Sequence, residues 1–384
     1  MIRVHRVHYV GVDLHSNNVV VVMIDENERW VLKRKFKPDL SIILSALEPY
    51  KETIKEIGIE ATYNWYWFVD GFEEAGYKMR LAHPPAIEGK SGKKRTNDFH
   101  DAANLAHLLR MNNFPDAYIY PKKDRPLRDL LRKRSLLVKT KTQYLLSLIN
   151  FFNRNLGIAL NGNEVKKLSD EDVEKMVANE YLVLSGQVNL SVIEHLKAEI
   201  GRLEKAILKE ARLKPEFNRL LTVPGIGEAI ALTICYEAGT LSRFKDVGNF
   251  ISYCRCVDSA QLSNEKKKGE KNRKSGNRYL CWAYVEAANF ARRWCPYAAA
   301  YYRHKLKESG IMVLATKALA SKLARATYYM LKNEVDYDPE KVFERFKAEA
   351  KELALIEKKG RGSKPRKVLG SGSGLPSQNQ KPTV

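Results

Sequence analysis

The sequence predicts an α/β N-terminal domain, a middle made of long coiled-coil helices, and a mostly α-helical C-terminal domain. Three observations carry this. Short β-branched runs alternate with amphipathic stretches as far as Ala82. Apolar pairs then recur every seven residues, at Leu130/Leu131, Leu137/Val138, Tyr144/Leu145 and Phe151/Phe152, which marks a long helix with a packing seam. Beyond a Pro-Gly-Ile-Gly turn at 224–227, helical spacing resumes and continues to Leu331. The boundaries fall at residues 1–122, 123–215 and 216–355, with a basic tail over 356–384 expected to be disordered.

Within the first domain, HYVGVDL (8–14) reads as a buried strand carrying one acid, Asp13. NNVVVVMIDEN and WVLKRKF (30–36) supply two more strands, and a helix capped by Asp39 follows. IKEIGIEAT is a fourth strand with Glu60 near its end. A Trp- and Phe-rich helix over 64–75, a strand over 77–82 and a helix capped by Asn97 complete the domain. Three strands, a helix, a strand, a helix and a strand is the order of a ribonuclease-H-like fold.

The last of these helices, in KRTNDFHDAANLAHLL (94–109), opens with Asp98 and Asp101, whose i, i+3 spacing turns both carboxylates to one face. Acids in a first helical turn are favoured by the helix dipole alone, so the pair has an ordinary structural explanation. The two strand acids change the balance. An acid inside an apolar strand is costly unless its charge is compensated, and both Asp13 and Glu60 stand there. If the two strands are neighbours, four carboxylates surround one point. Oxygen ligands of that kind suit Mg²⁺ or Mn²⁺, the ions of phosphodiester displacement.

The 66 basic and 45 acidic residues leave a net charge of +21, which points to a polyanionic partner. No secretory leader opens the chain and no apolar run approaches a bilayer span, so a cytoplasmic protein without membrane insertion is expected. Five cysteines without CxxC spacing read as reduced thiols. Ile193, Leu196, Ile200, Leu203 and Ile207 mark a second long helix that can pair with the first, within one chain or between copies.

The turn in LTVPGIGEAIALTICYEAG is similar to a helix-hairpin-helix unit, whose amides at Gly225 and Gly227 can hold a phosphate; a tight packing corner is the alternative. The stretch from Glu265 to Arg278 carries seven basic residues (Lys266, Lys267, Lys268, Lys271, Arg273, Lys274 and Arg278) against two acids. With Gly269 and Gly276 among them, this composition suits a flexible loop along a nucleic-acid backbone. Ser263 precedes it, placed to meet a phosphate, and Asn277 caps the helix that follows.

Taken together, these motifs resemble the DEDD-motif transposases of bacterial insertion sequences, whose N-terminal domain is similar to the RuvC Holliday-junction resolvase. The resemblance runs from about residue 8 to 335: GVDLHS, GIEAT and TNDFHDAANLA carry the acids, and LTVPGIG, SYCRCVDSAQLSN, KSGNRYL and ATKALASKLAR match the C-terminal transposase domain. It implies that Asp13, Glu60, Asp98 and Asp101 hold the metal and that Ser263 attacks DNA as nucleophile. It further implies donor and target DNA as substrates and guidance by a structured bridge RNA. Since one serine serves one strand, a homodimer or higher oligomer is expected. One departure stands out: many members have Gly-Leu-x-Pro before the serine and Gly after it, where this chain has Cys254 to Asp258 and Asn264. Ser259 is the fallback nucleophile, although the distance to KSGN favours Ser263. Rival readings are a junction resolvase in which water attacks and a non-catalytic nucleic-acid-binding protein.

Overall fold

The computed structural model describes residues 6–87, 97–212, 214–257, 261–263, 266–269 and 275–362. Strands β1 (His8–Leu14), β2 (Val19–Asp25) and β3 (Trp30–Phe36) form an antiparallel meander. Helix α1 (Leu40–Leu47), strand β4 (Ile54–Glu60), helix α2 (Tyr66–Glu74) and strand β5 (Met79–Ala82) follow. Helix α3 (Asp98–Arg110) and the short strand β6 (Asp116–Ala117) close the domain. The sheet order is β3-β2-β1-β4-β5-β6, with β1, β4 and β5 parallel. This α/β architecture is compatible with a ribonuclease-H-like domain, as the element order predicts.

The two faces of the sheet are separately covered. Val10, Val12, Ile57 and Ile59 pack against Ile43 and Leu47 of α1 and Phe68, Val69 and Phe72 of α2. On the other face, Tyr9, Val20 and Val22 pack against Ala102, Leu105, Ala106 and Leu109 of α3. Alternation along β1 and β4 places Gly11 and Gly58 on that second face, directly opposite one another in register. A Cβ on Gly11 would lie 1.9 Å from the Ala102 carbonyl oxygen, and one on Gly58 would lie 2.6 Å from the Phe114 ring. The bare backbone at Gly11 lets α3 lie directly on the sheet. Two residues further along each strand come Asp13 and Glu60.

Two helices of 32 residues each dominate the middle: α4 (Arg125–Leu156) and α7 (Glu180–Ala211). Short helices α5 (Gly162–Val165) and α6 (Asp170–Met176) lie between them in sequence. Leu131 near the start of α4 shares a core with Ile207 near the end of α7, while Phe151 and Phe152 pack with Leu190 and Ile193. The pair is therefore antiparallel, and Arg134 meets Glu204 across it at 2.7 Å. The seven-residue pattern holds best at its ends: Leu131, Phe151 and Phe152 are buried, whereas Leu137, Val138, Tyr144 and Leu145 are half-buried.

The remaining chain is mostly helical: α8 (Pro215–Leu221), α9 (Glu228–Ala238), α10 (Val247–Tyr253), α11 (Arg278–Trp294), α12 (Pro296–Ser309) and α13 (Met312–Lys332). Helix α14 (Pro339–Val342) and helix α15 (Lys347–Gly362) follow, the last running past Ile356, where composition alone would begin the tail. Phe250, Tyr284 and Tyr328 sit fully buried at the centre. The five cysteines are unbridged. The loop expected after Ser263 is in part a hairpin, strands β7 (Gln261–Ser263) and β8 (Lys266–Gly269) pairing antiparallel, because three or four residues are too few to give a readable alternation. No helix among the described residues is long and apolar enough to cross a membrane.

Candidate active site

The ends of β1 and β4 and the start of α3 meet at one place. Asp13 is the penultimate residue of β1 and Glu60 the last of β4, one position beyond the paired residues Val12 and Ile59. Asn97 caps α3 by accepting from the His100 amide, which puts Asp98 and Asp101 in the first turn. Because α3 rests on Gly11, that first turn overhangs the carboxyl ends of the two strands.

The electrostatics follow from this convergence. Burial pushes the Asp13 carboxyl above its ordinary pKa, and Asp101, Asp98 and Glu60 push it the same way, while His15 opposes them. Asp13 is 15 % exposed and Asp98 44 %, so the cluster is open to a substrate on its α3 side. Two nitrogen-bearing side chains border it: Lys35 Nζ, reaching over from β3, lies 3.5 Å from Asp98 Oδ2, and His15 Nε2 lies 3.1 Å from Asp13 Oδ2. Donor atoms of Asp13, His15 and Asp98 all fall within 4.8 Å of one another. A set of oxygen donors with one imidazole nitrogen fits a divalent ion. Neither His15 nor Lys35 is picked out by sequence reasoning. For His15 the available signal was its place two residues after Asp13.

The second group of expected site residues lies apart from the acids in the chain. Ser263 belongs to the β7–β8 hairpin, a different sheet from the one carrying Asp13 and Glu60, and its backbone pairs with Lys266. Lys266 is exposed, as is Arg278 at the start of α11. Ser259, Lys271, Arg273 and Lys274 lie outside the described residues, as do the side chains of Ser263, Lys267 and Lys268.

What the structure does define is the base of that segment. The Asn277 amide donates to the Tyr253 carbonyl at 2.6 Å, and Arg255 donates to the Gly276 carbonyl at 2.8 Å. Gly276, at φ +90°, sits so close to the Tyr253 carbonyl that a Cβ would lie 2.5 Å from it. The Asn277 side chain caps α11 and also donates to Glu237 Oε2 at 2.7 Å. Glu237 is 1 % exposed and accepts from Arg132 at 2.6 Å and Arg128 at 3.1 Å. Burial alone would raise its pKa, but the Arg132 hydrogen bond and both guanidinium charges hold it below the ordinary carboxylate range. One turn before Arg128, Arg125 pairs with Asp70 of α2 at 2.6 Å and lies over the Trp65 ring. A continuous ionic and aromatic seam thus joins the acid-bearing domain, through α4, to the base of the serine segment.

At the Pro-Gly-Ile-Gly turn the two glycines differ. Gly225, at φ +92°, faces α11, where a Cβ would lie 2.4 Å from the Ala287 carbonyl oxygen. It is held in a packing corner. Gly227, the residue before α9, has open space around it.

Comparison with known proteins adds two family matches. Residues 10–154 match a family described as Transposase, of the DEDD type found in IS110, and residues 217–303 match the Transposase IS116/IS110/IS902 family. The chain belongs to the IS110/IS116 transposase family. A curated relative, a probable family 20 transposase of Pseudomonas aeruginosa, is 23 % identical over 348 residues, spanning 86 % of this chain and 98 % of that protein. Family membership makes the chain a DNA-cleaving and DNA-recombining enzyme with DNA as its substrate. Transposases of the DEDD type use a divalent metal, and the acids of this transposase supply a donor set for one.

Proposed function

We propose that this transposase is a bridge-RNA-guided recombinase that cuts and rejoins DNA through Ser263, with Asp13, Glu60, Asp98 and Asp101 holding Mg²⁺ or Mn²⁺. The observation that carries the metal half is the convergence of those carboxylates around Asp13, which burial and three like charges all disfavour as an anion. Such a cluster calls for a cation. A bound ion would polarise the scissile phosphate and offset the charge developing on it. Lys35, beside Asp98, is placed to hold a non-bridging phosphate oxygen.

In the reaction itself, the Ser263 oxygen bonds to phosphorus as the bond from phosphorus to the departing strand breaks. The seryl proton passes to solvent, and the departing strand oxygen takes a proton from solvent and leaves as a hydroxyl. The number of phosphoester bonds is conserved, so the step can run backward to rejoin a strand. The basic residues Lys266 to Arg278 line the phosphate backbone in this reading. The net charge of +21 suits an RNA partner as well as DNA. Exchange of two strands needs at least two copies of the chain.

The test traps the reaction on DNA and looks for an adduct. Wild type should carry a phosphoserine at Ser263, and Ser263→Ala should carry none while still binding nucleic acid. An adduct lost instead in Ser259→Ala identifies the other serine. Cleavage by wild type with no adduct means that water is the nucleophile, and the serine reading fails. RNA copurifying with the protein and required for cleavage would support the guide; full cleavage after ribonuclease treatment would remove it.

A further inference from the structure

We infer that His15 is a ligand of the catalytic ion and that its nitrogen biases the site toward Mn²⁺ over Mg²⁺. The inference rests on the metal reading above and deepens it. Nothing about the acidic motif requires a histidine, so the case comes from where this one stands.

His15 follows β1 directly, and its backbone is fixed from both sides. Its amide donates to the Asn18 carbonyl at 3.0 Å, closing the turn into β2, and its own carbonyl accepts from Asn64 Nδ2 at 3.1 Å. Asn64 stands just past Glu60 and shares a hydrogen bond with Thr62. The same short connection after β4 therefore positions both an acid and the imidazole.

The ring is half-exposed, yet its Nε2 is shut off from solvent and has no aligned hydrogen-bond partner. It lies 3.1 Å from Asp13 Oδ2 and 3.8 Å from Asp98 Oδ1. A histidine serving only as a neutral or charged partner to Asp13 would aim its N–H at the carboxylate. Here the nitrogen stands close to two carboxylates at once and makes no aligned hydrogen bond to either, an arrangement that a cation held among them accounts for. An octahedral ion with bonds near 2.1 Å spaces adjacent donors about 3 Å apart. The Asp13–His15 separation already matches that spacing, and the Asp98 oxygen, on a half-exposed side chain, needs only a small inward movement.

The consequence for metal choice is chemical. Mg²⁺ is hard and takes oxygen ligands and water, whereas imidazole nitrogen is a normal ligand for first-row transition metals. An all-carboxylate site accepts both ions. Adding His15 gives Mn²⁺ one more bond than Mg²⁺ can use well.

The full-length protein is titrated with Mn²⁺ alone, with Mg²⁺ alone and in competition, and Mn²⁺ binding is followed by electron paramagnetic resonance. Wild type should show nitrogen coupling to the bound Mn²⁺, and the coupling should change when histidine is labelled with ¹⁵N. In His15→Ala the coupling should vanish. Mn²⁺ affinity should then fall by at least the roughly tenfold seen when even an outer partner of a metal ligand is removed. Mg²⁺ affinity should hold. Wild type that binds Mn²⁺ without histidine coupling overturns this inference and leaves the acidic site standing; that measurement needs no variant to fold. Mn²⁺ and Mg²⁺ binding that is absent, or unchanged in Asp13→Asn, overturns the metal reading itself.

Discussion

Asp13 and Glu237 are both carboxylates withdrawn from water, one at the end of β1 and the other in α9, and their neighbours have opposite signs. Glu237 is met by Arg128, Arg132 and Asn277, so its charge is fully answered and its pKa lowered. Asp13 is half-buried beside Asp98, Asp101 and Glu60; burial first, and then these like charges, push its pKa up against the opposing influence of His15. Glu237 holds three helices in one arrangement. Asp13 keeps an unmet demand for positive charge at the edge of the sheet. A satisfied buried charge is architecture, whereas a dissatisfied one is a binding site in waiting.

The largest effects should come from the dissatisfied cluster. Asp13→Asn, Glu60→Gln, Asp98→Asn and Asp101→Asn should each abolish strand cleavage while nucleic-acid binding is largely retained. A double variant should be little worse than a single one, because groups acting as a unit give non-additive losses. Gel assays of cleavage and binding check this, and full recombination by Asp98→Asn would break the comparison at its functional end.

Next in size is the satisfied charge. Glu237→Gln leaves Arg128 and Arg132 without their counter-ion, a loss of roughly 3–5 kcal/mol where a buried pair is broken by removing one partner. Chemical denaturation should register it. A variant as stable as wild type would show that the cluster around Glu237 is dispensable.

A smaller effect, of opposite sign, separates the two carboxylates most sharply. Without metal, Asp13→Asn should melt above wild type, since it removes a charge that burial and its neighbours disfavour. The pH dependences should also diverge. Glu237 has a lowered folded pKa, so its contribution is fully present above the ordinary carboxylate range and is lost as pH falls through the lowered value. Asp13 has a raised folded pKa, so its contribution is present in acid and lost as pH rises through the raised value. The advantage of Asp13→Asn should therefore grow toward neutral pH, and the penalty of Glu237→Gln should shrink in acid. Melting curves at several pH values decide both.

The smallest effect belongs to the basic segment. Replacing Lys266, Lys267, Lys268 and Lys271 by Ala should lower the slope of log affinity against log salt. For duplex DNA the slope drops by about 0.9 for every phosphate that a lysine no longer neutralises. An unchanged slope would mean that these lysines do not touch the backbone.

Strands β1 to β5, the capped α3 helix and all four acids were legible in the sequence because they rest on local patterns: alternation, capping and a charge out of place in an apolar run. The seam around Glu237 was not, since a Glu in YEAG near a helix end looks like a solvated residue until α4 brings two arginines to it. Gly225 shows the same limit. Its sequence context resembles a phosphate-binding turn, but the close approach of α11 is set by residues far along the chain, at Ala287 and Ala291. His15 was hidden differently: the signal was local, but a lone histidine after a strand carries no pattern. What sequence conveys poorly here is which distant element arrives at a given side chain.

The hydrogen bonds joining Tyr253 and Arg255 to Gly276 and Asn277 mean that the chain leaves and re-enters the C-terminal domain at nearly the same point. Topologically, the intervening chain, whose described part is the β7–β8 hairpin, is closed at its neck like a lobe. Such a lobe can be exchanged as a cassette: the segment from Val257 to Ser275 could be replaced by that of a relative, or by a short Gly-Ser bridge, without rerouting any helix. A chain shortened in this way would let the contribution of that segment to DNA binding be read by subtraction.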